Sequence, residues 1–471
     1  MAEASPGSRI AILGGGITGL TAAWRLQKAG LRPVVFEQSI RPGGAIGALP
    51  TKEGWLHELG PNSLLEGAPE VAAFIDEVGL GARRIFASPA ARQRYIVRGR
   101  QLVALPTSPF GFIETKLFSW RAKRHLLGEP WRPRGPADDV ESVADFVRRR
   151  LGQEFLDYAI NPFVAGVYAG DPAQLSVRHA FPKLHALEQE HGSLIRGALK
   201  RRNTSGGAKG RIFSFPNGLE ELPLAIVGQL GDAVRLQCTV RGIRRQGARW
   251  FVDFEPISGR ATEEFAAVVS ALPGDALAAL RCDDMPESTR LGVLRDVIQP
   301  PVASVFTGYR REAVAHPLDG FGVLVPEVEP FSILGTLFSS TLFPGRAPDG
   351  CVGLTTFIGG TRRPALELRA ERDILQLVQE DLAALVGVRG EPIYTHIQRW
   401  PRAIPQYNLG YGRFKAAIGA VETANPGFFV GGNCRDGISI ANCIESGRRL
   451  AGVTQGYLRS TGDRQISPAL T

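Results

Sequence analysis

The feature that most constrains this chain is the run Gly14-Gly15-Gly16-Ile17-Thr18-Gly19, entered from the short apolar stretch Arg9–Leu13. Leu20–Ala29 follows with helical spacing, and Arg32–Glu37 reads as a second strand. Strand, glycine turn, helix and strand thus fall within about 30 residues, the βαβ setting in which such a turn carries meaning. Gly14, Gly16 and Gly19 fill the three positions of G-x-G-x-x-G. The first permits a tight turn, the second lets a pyrophosphate approach the backbone, and the third lets helix and strand pack closely. A helix starting near Ile17 offers free N–H groups and a positive dipole end to phosphate. Glu37 can accept hydrogen bonds from ribose hydroxyls, and a carboxylate there disfavours a 2′-phosphate. The local pattern predicts dinucleotide binding, with NADP disfavoured.

Arg41-Pro42-Gly43-Gly44 continues from Glu37, and Glu58-Leu59-Gly60-Pro61-Asn62 comes soon after. This resembles the E-x-x-x-R-x-G-G extension of the large FAD family containing monoamine oxidases, phytoene desaturases and protoporphyrinogen oxidases. Ala45 stands where members often carry Arg, which removes one cation near the phosphates and leaves the fold untouched. Gly431-Gly432-Asn433 through Gly437-Ile438-Ser439-Ile440, with Glu445-Ser446-Gly447, resembles the second flavin segment of that family. Its amides would face the pyrimidine end of the flavin and stabilise the charge of the reduced form. Cys434 raises the idea of a thioether, but its surroundings do not match the covalent enzymes, so noncovalent FAD is expected. Besides the turn residues Gly14, Gly15, Gly16, Ile17, Thr18 and Gly19, the resemblance implies FAD contacts at Glu37, Gln38, Arg41, Gly43, Gly44 and Ala45. It adds Gly60, Pro61, Asn62, Ser63 and Val240, then Gly432, Ile438, Ser439 and Ile440.

Asn161-Pro162-Phe163-Val164-Ala165-Gly166-Val167-Tyr168-Ala169-Gly170-Asp171-Pro172 resembles a segment of the protoporphyrinogen oxidases. Ala180-Phe181-Pro182-Lys183-Leu184, Phe215-Pro216-Asn217-Gly218-Leu219 and Ile404-Pro405-Gln406-Tyr407 extend the likeness along nearly the whole chain. A porphyrinogen is a large apolar ring with carboxylate arms, and its site needs aromatic and aliphatic walls with few cations. The resemblance implies Arg94 as the partner of a propionate, which a guanidinium can grip bidentately. It implies Phe321 and Leu324 as a pair sandwiching a pyrrole, Phe357 on the opposite wall, and Gly166 with its backbone against the macrocycle. The expected activity is oxidation of protoporphyrinogen IX by three hydride transfers to FAD, with O2 as acceptor giving H2O2. Oxidation of coproporphyrinogen III by the same chemistry is the alternative, and a non-catalytic FAD-binding assembly factor is the alternative of another class. No side chain is assigned as acid or base, and no metal ligands are assigned.

At roughly 100–200 residues per domain, the chain length allows two or three domains. The expected architecture is α/β: a discontinuous Rossmann-like FAD-binding domain over 1–87, 211–285 and 398–471, a mostly helical membrane-associating insertion over 88–210, and an α+β substrate-binding domain over 286–397. Five scattered cysteines with no CxxC pair argue against a disulfide framework or zinc site. Between Thr115 and Arg211 stand 17 Lys and Arg against 10 Asp and Glu. No nucleic-acid motif or base-stacking platform accompanies this block, so anionic lipid or an anionic ligand is the expected partner. The aromatic run Phe110-Gly111-Phe112-Ile113…Leu117-Phe118-Ser119-Trp120 beside it reads as a monotopic membrane contact, with buried packing as the competing reading. The expected location is the cytoplasmic face of the cell membrane. Hand-off of product to a ferrochelatase, and a homodimer, complete the partner expectations.

Overall fold

The computed structural model describes residues 8–67, 69–136, 138, 140–204 and 210–465. The glycine-rich joint expected over Gly206–Gly210 lies, except for Gly210, outside them. Among the described residues, five short strands form a parallel sheet in the order Val234–Arg235, Arg32–Phe36, Arg9–Leu13, Ala267–Ser270, Phe428–Val430. Alternate residues of the first strand enter different cores. Ile10 and Ile12 pack with Leu20, Ile444 and Leu450 of the helices Ile17–Lys28 and Ile440–Gln465. Ala11 and Leu13 pack on the opposite face with Trp250, Val252 and Phe254. Burial on both faces is why the strand is almost continuously apolar.

The alternating stretch Val234–Val240 does not form one strand, because Gln237 adopts φ 53° and breaks it. Its first part joins the parallel sheet, where Glu37 donates its N–H to Arg235 O at 2.9 Å. Only Thr239–Gln246 enters the antiparallel meander with Arg249–Glu255 and Ala261–Phe265. The closing helix runs from Ile440 to Gln465, with Thr454 and Leu458 continuing its buried stripe.

A seven-stranded sheet stands beside this unit, ordered Tyr394–Trp400, Val302–Arg310, Cys351–Gly359, Gly335–Leu337, Gly320–Leu324, Gln93–Arg98, Gln101–Ala104. One face carries Val305, Val323 and Leu354 and is covered by Ile374, Val378 and Leu382 of the helix Glu371–Val386. The hairpin Gln93–Ala104, expected in the helical insertion, is the edge of this sheet, and Tyr394–Trp400 runs across the boundary expected at residue 397. The helical part therefore begins at Pro109. At its centre the fully buried Arg150 donates Nε to Glu188 at 2.5 Å and lies 3.3 Å from the equally buried Glu129. Removing one partner of such a pair leaves an uncompensated buried charge and costs about 3–5 kcal/mol. No helix among the described residues is long and apolar enough to cross a membrane.

Candidate active site

The glycine turn is shaped for a bulky anion. Gly14 has φ +100°, and a Cβ on Gly19 would stand 2.0 Å from Gly14 O, so both positions exclude a side chain. A Cβ on Gly16 would meet nothing within 4 Å, so open space lies over the backbone at the start of the helix Ile17–Lys28. That helix has no side-chain cap and no acidic residue in its first turn, which leaves its terminal amides and dipole for a ligand. The Glu37 carboxylate accepts from Gly15 N and Ser39 N, each at 2.8 Å. It is thereby fixed beside the turn, and each oxygen retains a lone pair for a ribose hydroxyl.

Gly43 donates to Gly15 O at 2.8 Å, and a Cβ on Gly44 would lie 3.5 Å from Gly16 Cα, which brings the second glycine pair against the first turn. Arg41, expected among the FAD contacts, lies half-buried in this second turn. Its guanidinium donates to Ile46 O and Gly44 O, both at 2.8 Å, and so braces its own loop. Ala45 is exposed, and Gly60 packs so tightly under it that a Cβ would stand 2.2 Å from Ala45 O. Pro61, Asn62 and Ser63 follow half-buried, and Asn62 donates back to Gly60 O at 2.9 Å. Gln38 is exposed; Val240 is half-buried at the start of the meander.

The C-terminal segment closes onto the same helix. A Cβ on Gly432 would lie 3.7 Å from Thr18 Oγ1, and one on Gly447 would lie 2.6 Å from Thr18 O. Ser439 Oγ accepts from Asn442 N at 3.1 Å at the start of the closing helix, while Ile438 and Ile440 pack into the two opposite cores. Two residues outside the expected site shape this loop. Tyr407 Oη donates to Asn433 O at 2.6 Å and accepts from Gly437 N at 2.8 Å, and Tyr411 Oη donates to Cys434 O at 2.8 Å. Their rings stack 4.2 Å apart. The Cys434 thiol is buried, which pushes its pKa up to about 12 and holds it protonated.

The expected substrate residues meet on the free face of the seven-stranded sheet. Cross-strand partners share a face, and one such row reads Ile96, Leu324, Gly335, Phe357, Ser304. Gly335 is closely covered, since a Cβ there would stand 2.5 Å from Val323 O and 3.3 Å from Leu324 Cδ2. Strand alternation alone would send Phe321 to the other face, but the ladder shifts between Gly320 and Val323. Gly322, at φ +151°, has no room for a Cβ, which would stand 2.2 Å from Thr336 O. The irregularity turns Phe321 toward Arg94, whose guanidinium carbon lies 5.5 Å from the Phe321 ring centre. Opposite the row runs the helix Asn161–Tyr168. Its Phe163, Gly166 and Val167, at i, i+3 and i+4, form an uncovered stripe. A Cβ on Gly166 would stand 2.4 Å from Leu324 Cδ2, so helix and row face each other directly. Ala165, Ala169, Val302 and Leu334 pack around Phe357 and close one end.

In keeping with the paired glycine cradle and the adjoining apolar walls, the family model of flavin-containing amine oxidoreductases matches residues 17–453. The chain belongs to the flavin-containing amine oxidoreductase family. Among its curated relatives is protoporphyrinogen oxidase 2 of Arabidopsis thaliana, 34% identical, with 99% of this chain and 98% of the relative covered. Coproporphyrinogen III oxidase of Bacillus subtilis is 28% identical, with 96% and 98% covered. A solved protein from Exiguobacterium sp. 255-15, provisionally described as a protoporphyrinogen oxidase, superposes with TM-score 0.79 at 24% identity, covering 95% of this chain and 98% of its own. Cyclohexylamine oxidase from Brevibacterium oxydans superposes with TM-score 0.71 at 15% identity, covering 95% and 99%, and shares the fold alone.

As in its family, the cofactor of this oxidoreductase is FAD. The open backbone at Gly16, the uncapped helix start and the fixed Glu37 fit its pyrophosphate and ribose; the Tyr407-held loop fits its ring. The role of Tyr407 is not legible in the Ile404–Tyr407 run, because two hydrogen bonds to a loop about 30 residues away leave no local signal. The Phe163–Gly166–Val167 stripe was within reach of helical periodicity.

Proposed function

We propose that this flavoenzyme oxidises protoporphyrinogen IX to protoporphyrin IX in haem biosynthesis, in three two-electron rounds with O2 reduced to H2O2. The observation that carries the reading is the apolar seam where the Phe163–Gly166–Val167 stripe meets the Leu324–Phe357 row, with Arg94 beside Phe321, a seam that a macrocycle would part into a slot. Bound FAD supplies the hydride acceptor. The chain's residues bind and orient: Leu324, Phe321 and Phe357 take the flat faces of the macrocycle and exclude water, and Gly166 admits it edge-on to the helix. Arg94 is exposed and, among the described residues, forms no ion pair, which leaves its fork for a propionate. Arg98 and Arg362 are committed elsewhere, to Glu154 and to Asn161. Of these three arginines only Arg94 is available to a propionate.

Phe110, Trp120 and Trp131 are 69, 65 and 77% exposed, and Ile113 and Leu127 are also exposed. Lys116, Arg121 and Arg124 stand among them. Phe112 and Phe118 of the same run instead stack on Phe155 inside the core. Outward apolar tips ringed by cations support a monotopic contact with the cytoplasmic face of a membrane. The helical region carrying these tips is the proposed membrane insertion, beside the FAD and substrate domains. Hand-off to a ferrochelatase, and a homodimer, are the accompanying partner proposals.

Anaerobic mixing of the FAD-loaded protein with protoporphyrinogen IX, and separately with coproporphyrinogen III, tests the function. The flavin absorbance should bleach faster with the first and return on admission of O2 with H2O2 formed. A flavin that stays oxidised with both would sink the proposal.

A further inference from the structure

We propose that Arg362 is a positioning residue that sets the width of the substrate slot by joining its three walls; this rests on the porphyrinogen reading above. The strand Cys351–Gly359 carries Phe357 and ends in a turn at Gly359 and Gly360, with φ +92° and +67°. A Cβ on Gly360 would stand 2.6 Å from Ala169 O, so the turn lies hard against the C-terminal end of the helix that bears Gly166. Thr361 N fastens it there by donating to Ala169 O at 2.8 Å. The next residue holds the other end of that helix. Arg362 Nη2 donates to Asn161 Oδ1 at 2.5 Å and to Asn161 O at 3.3 Å. Its Nη1 donates to Val325 O at 2.7 Å, immediately after Leu324. Asn161 completes the link, donating Nδ2 to Glu327 Oε2 at 3.0 Å and accepting from Glu327 N at 3.0 Å.

One rigid guanidinium therefore touches the end of the strand of Leu324 and the helix of Gly166, while its own backbone follows the turn that ends the strand of Phe357. Its planar fork fixes direction as well as distance, which a flexible ammonium does not. As a source of stability it is poor: Nε is buried without a partner, and burial outweighs the nearby Glu327 charge and draws its pKa down to about 10. A buried cation of this kind is better explained by specificity of arrangement than by net stabilisation. The geometry across the slot is also the geometry most sensitive to it, since Gly166 and Leu324 already leave no room for one carbon.

The test uses full-length, FAD-loaded Arg362→Gln, Arg362→Lys, Asn161→Ala and the Arg362→Gln/Asn161→Ala double variant. Arg362→Gln should raise KM for protoporphyrinogen IX about tenfold, the effect of losing a charge-assisted hydrogen bond. Its kcat per bound flavin and its FAD content should stay within about twofold of wild type, a change of under 1 kcal/mol. Arg362→Lys should recover only part of the KM, and the double variant should be no worse than the poorer single one. An unchanged KM overturns the proposal; so do a parallel fall in KM performance, kcat and FAD content, full rescue by Lys, or simple additivity. If the wild-type flavin fails to bleach with any porphyrinogen, the functional reading alone fails. The clamp is then judged by hydrogen exchange: faster exchange confined to Asn161–Tyr168 and its facing strand in Arg362→Gln supports it, and unchanged exchange overturns it.

Discussion

Gly166→Ala isolates the slot from the rest of the molecule. The substitution lies within the helix Asn161–Tyr168, where alanine is better than glycine by roughly 1 kcal/mol. The new Cβ would stand 2.4 Å from Leu324 Cδ2 and 3.8 Å from its Cγ, so the obstacle is the tip of a rotatable side chain. Leu324 must leave its rotamer, at a cost of about 0.5–1.5 kcal/mol. Gain and loss offset, and thermal stability should change little. Substrate binding does not share this compensation, because the displaced Leu324 methyl and the new Cβ both enter the slot. One methylene's thickness in an apolar pocket is worth about 1–3 kcal/mol, or roughly 10–200-fold. Stopped-flow bleaching and steady-state kinetics with protoporphyrinogen IX should therefore show kcat/KM at least about tenfold lower, with FAD retained. Leu324→Ala added to Gly166→Ala should restore part of the loss, a coupling above roughly 0.5 kcal/mol. Unchanged kinetics in the single variant, or strict additivity in the pair, would refute the face-to-face placement of the two residues.

Arg94→Ala should raise KM for porphyrinogen by roughly 10–100-fold, the value of a charge-assisted hydrogen bond, while FAD content stays constant; equal loss of both would contradict a propionate role. Tyr407→Phe removes two hydrogen bonds from the Asn433–Gly437 loop without changing the ring, and should weaken FAD binding by about 1–2 kcal/mol in a flavin-fluorescence titration. Glu58 is buried beside Arg346, and burial outweighs that pairing, raising its pKa from 4.5 to about 7. The folded state thus holds this proton more tightly than the unfolded chain, so its stabilising contribution is full below pH 4.5 and is lost as pH rises through 7. Denaturant unfolding across that window should show the decline, and Glu58→Gln should flatten it; an unchanged slope rules out Glu58 as the source. Trp120→Asp with Phe110→Asp should abolish sedimentation with vesicles containing anionic phospholipid and leave activity on dispersed substrate intact; retained sedimentation would remove this face as the membrane contact.

How much of this was legible beforehand depended on whether the physics was local. The glycine turn, the helix after it and Glu37 lie within one βαβ unit, and their roles follow from backbone sterics and a helix dipole that any such sequence carries. The resemblance at Gly431–Gly447 similarly pointed to a segment that does fold back onto Thr18. That Arg41 braces its own turn could not be read beforehand, because only the turn's conformation brings the carbonyls of Gly44 and Ile46 to its guanidinium. The helical insertion was drawn too early, since the hairpin Gln93–Ala104 gains its place from pairing with Gly320–Leu324, more than 200 residues away.

By itself, the sequence determined that a dinucleotide cradle forms at the N-terminus and that two strand-rich and helix-rich regions accompany it, because periodicity, glycine geometry and capping act over a few residues. Only the tertiary structure decided that Phe321 and Leu324 share a face, that Gly166 packs directly on Leu324, and that Arg362 ties the helix and two strand ends together. Those outcomes turn on one irregular register step and on hydrogen bonds between distant segments, whose energies exist only once the chain has brought them within reach.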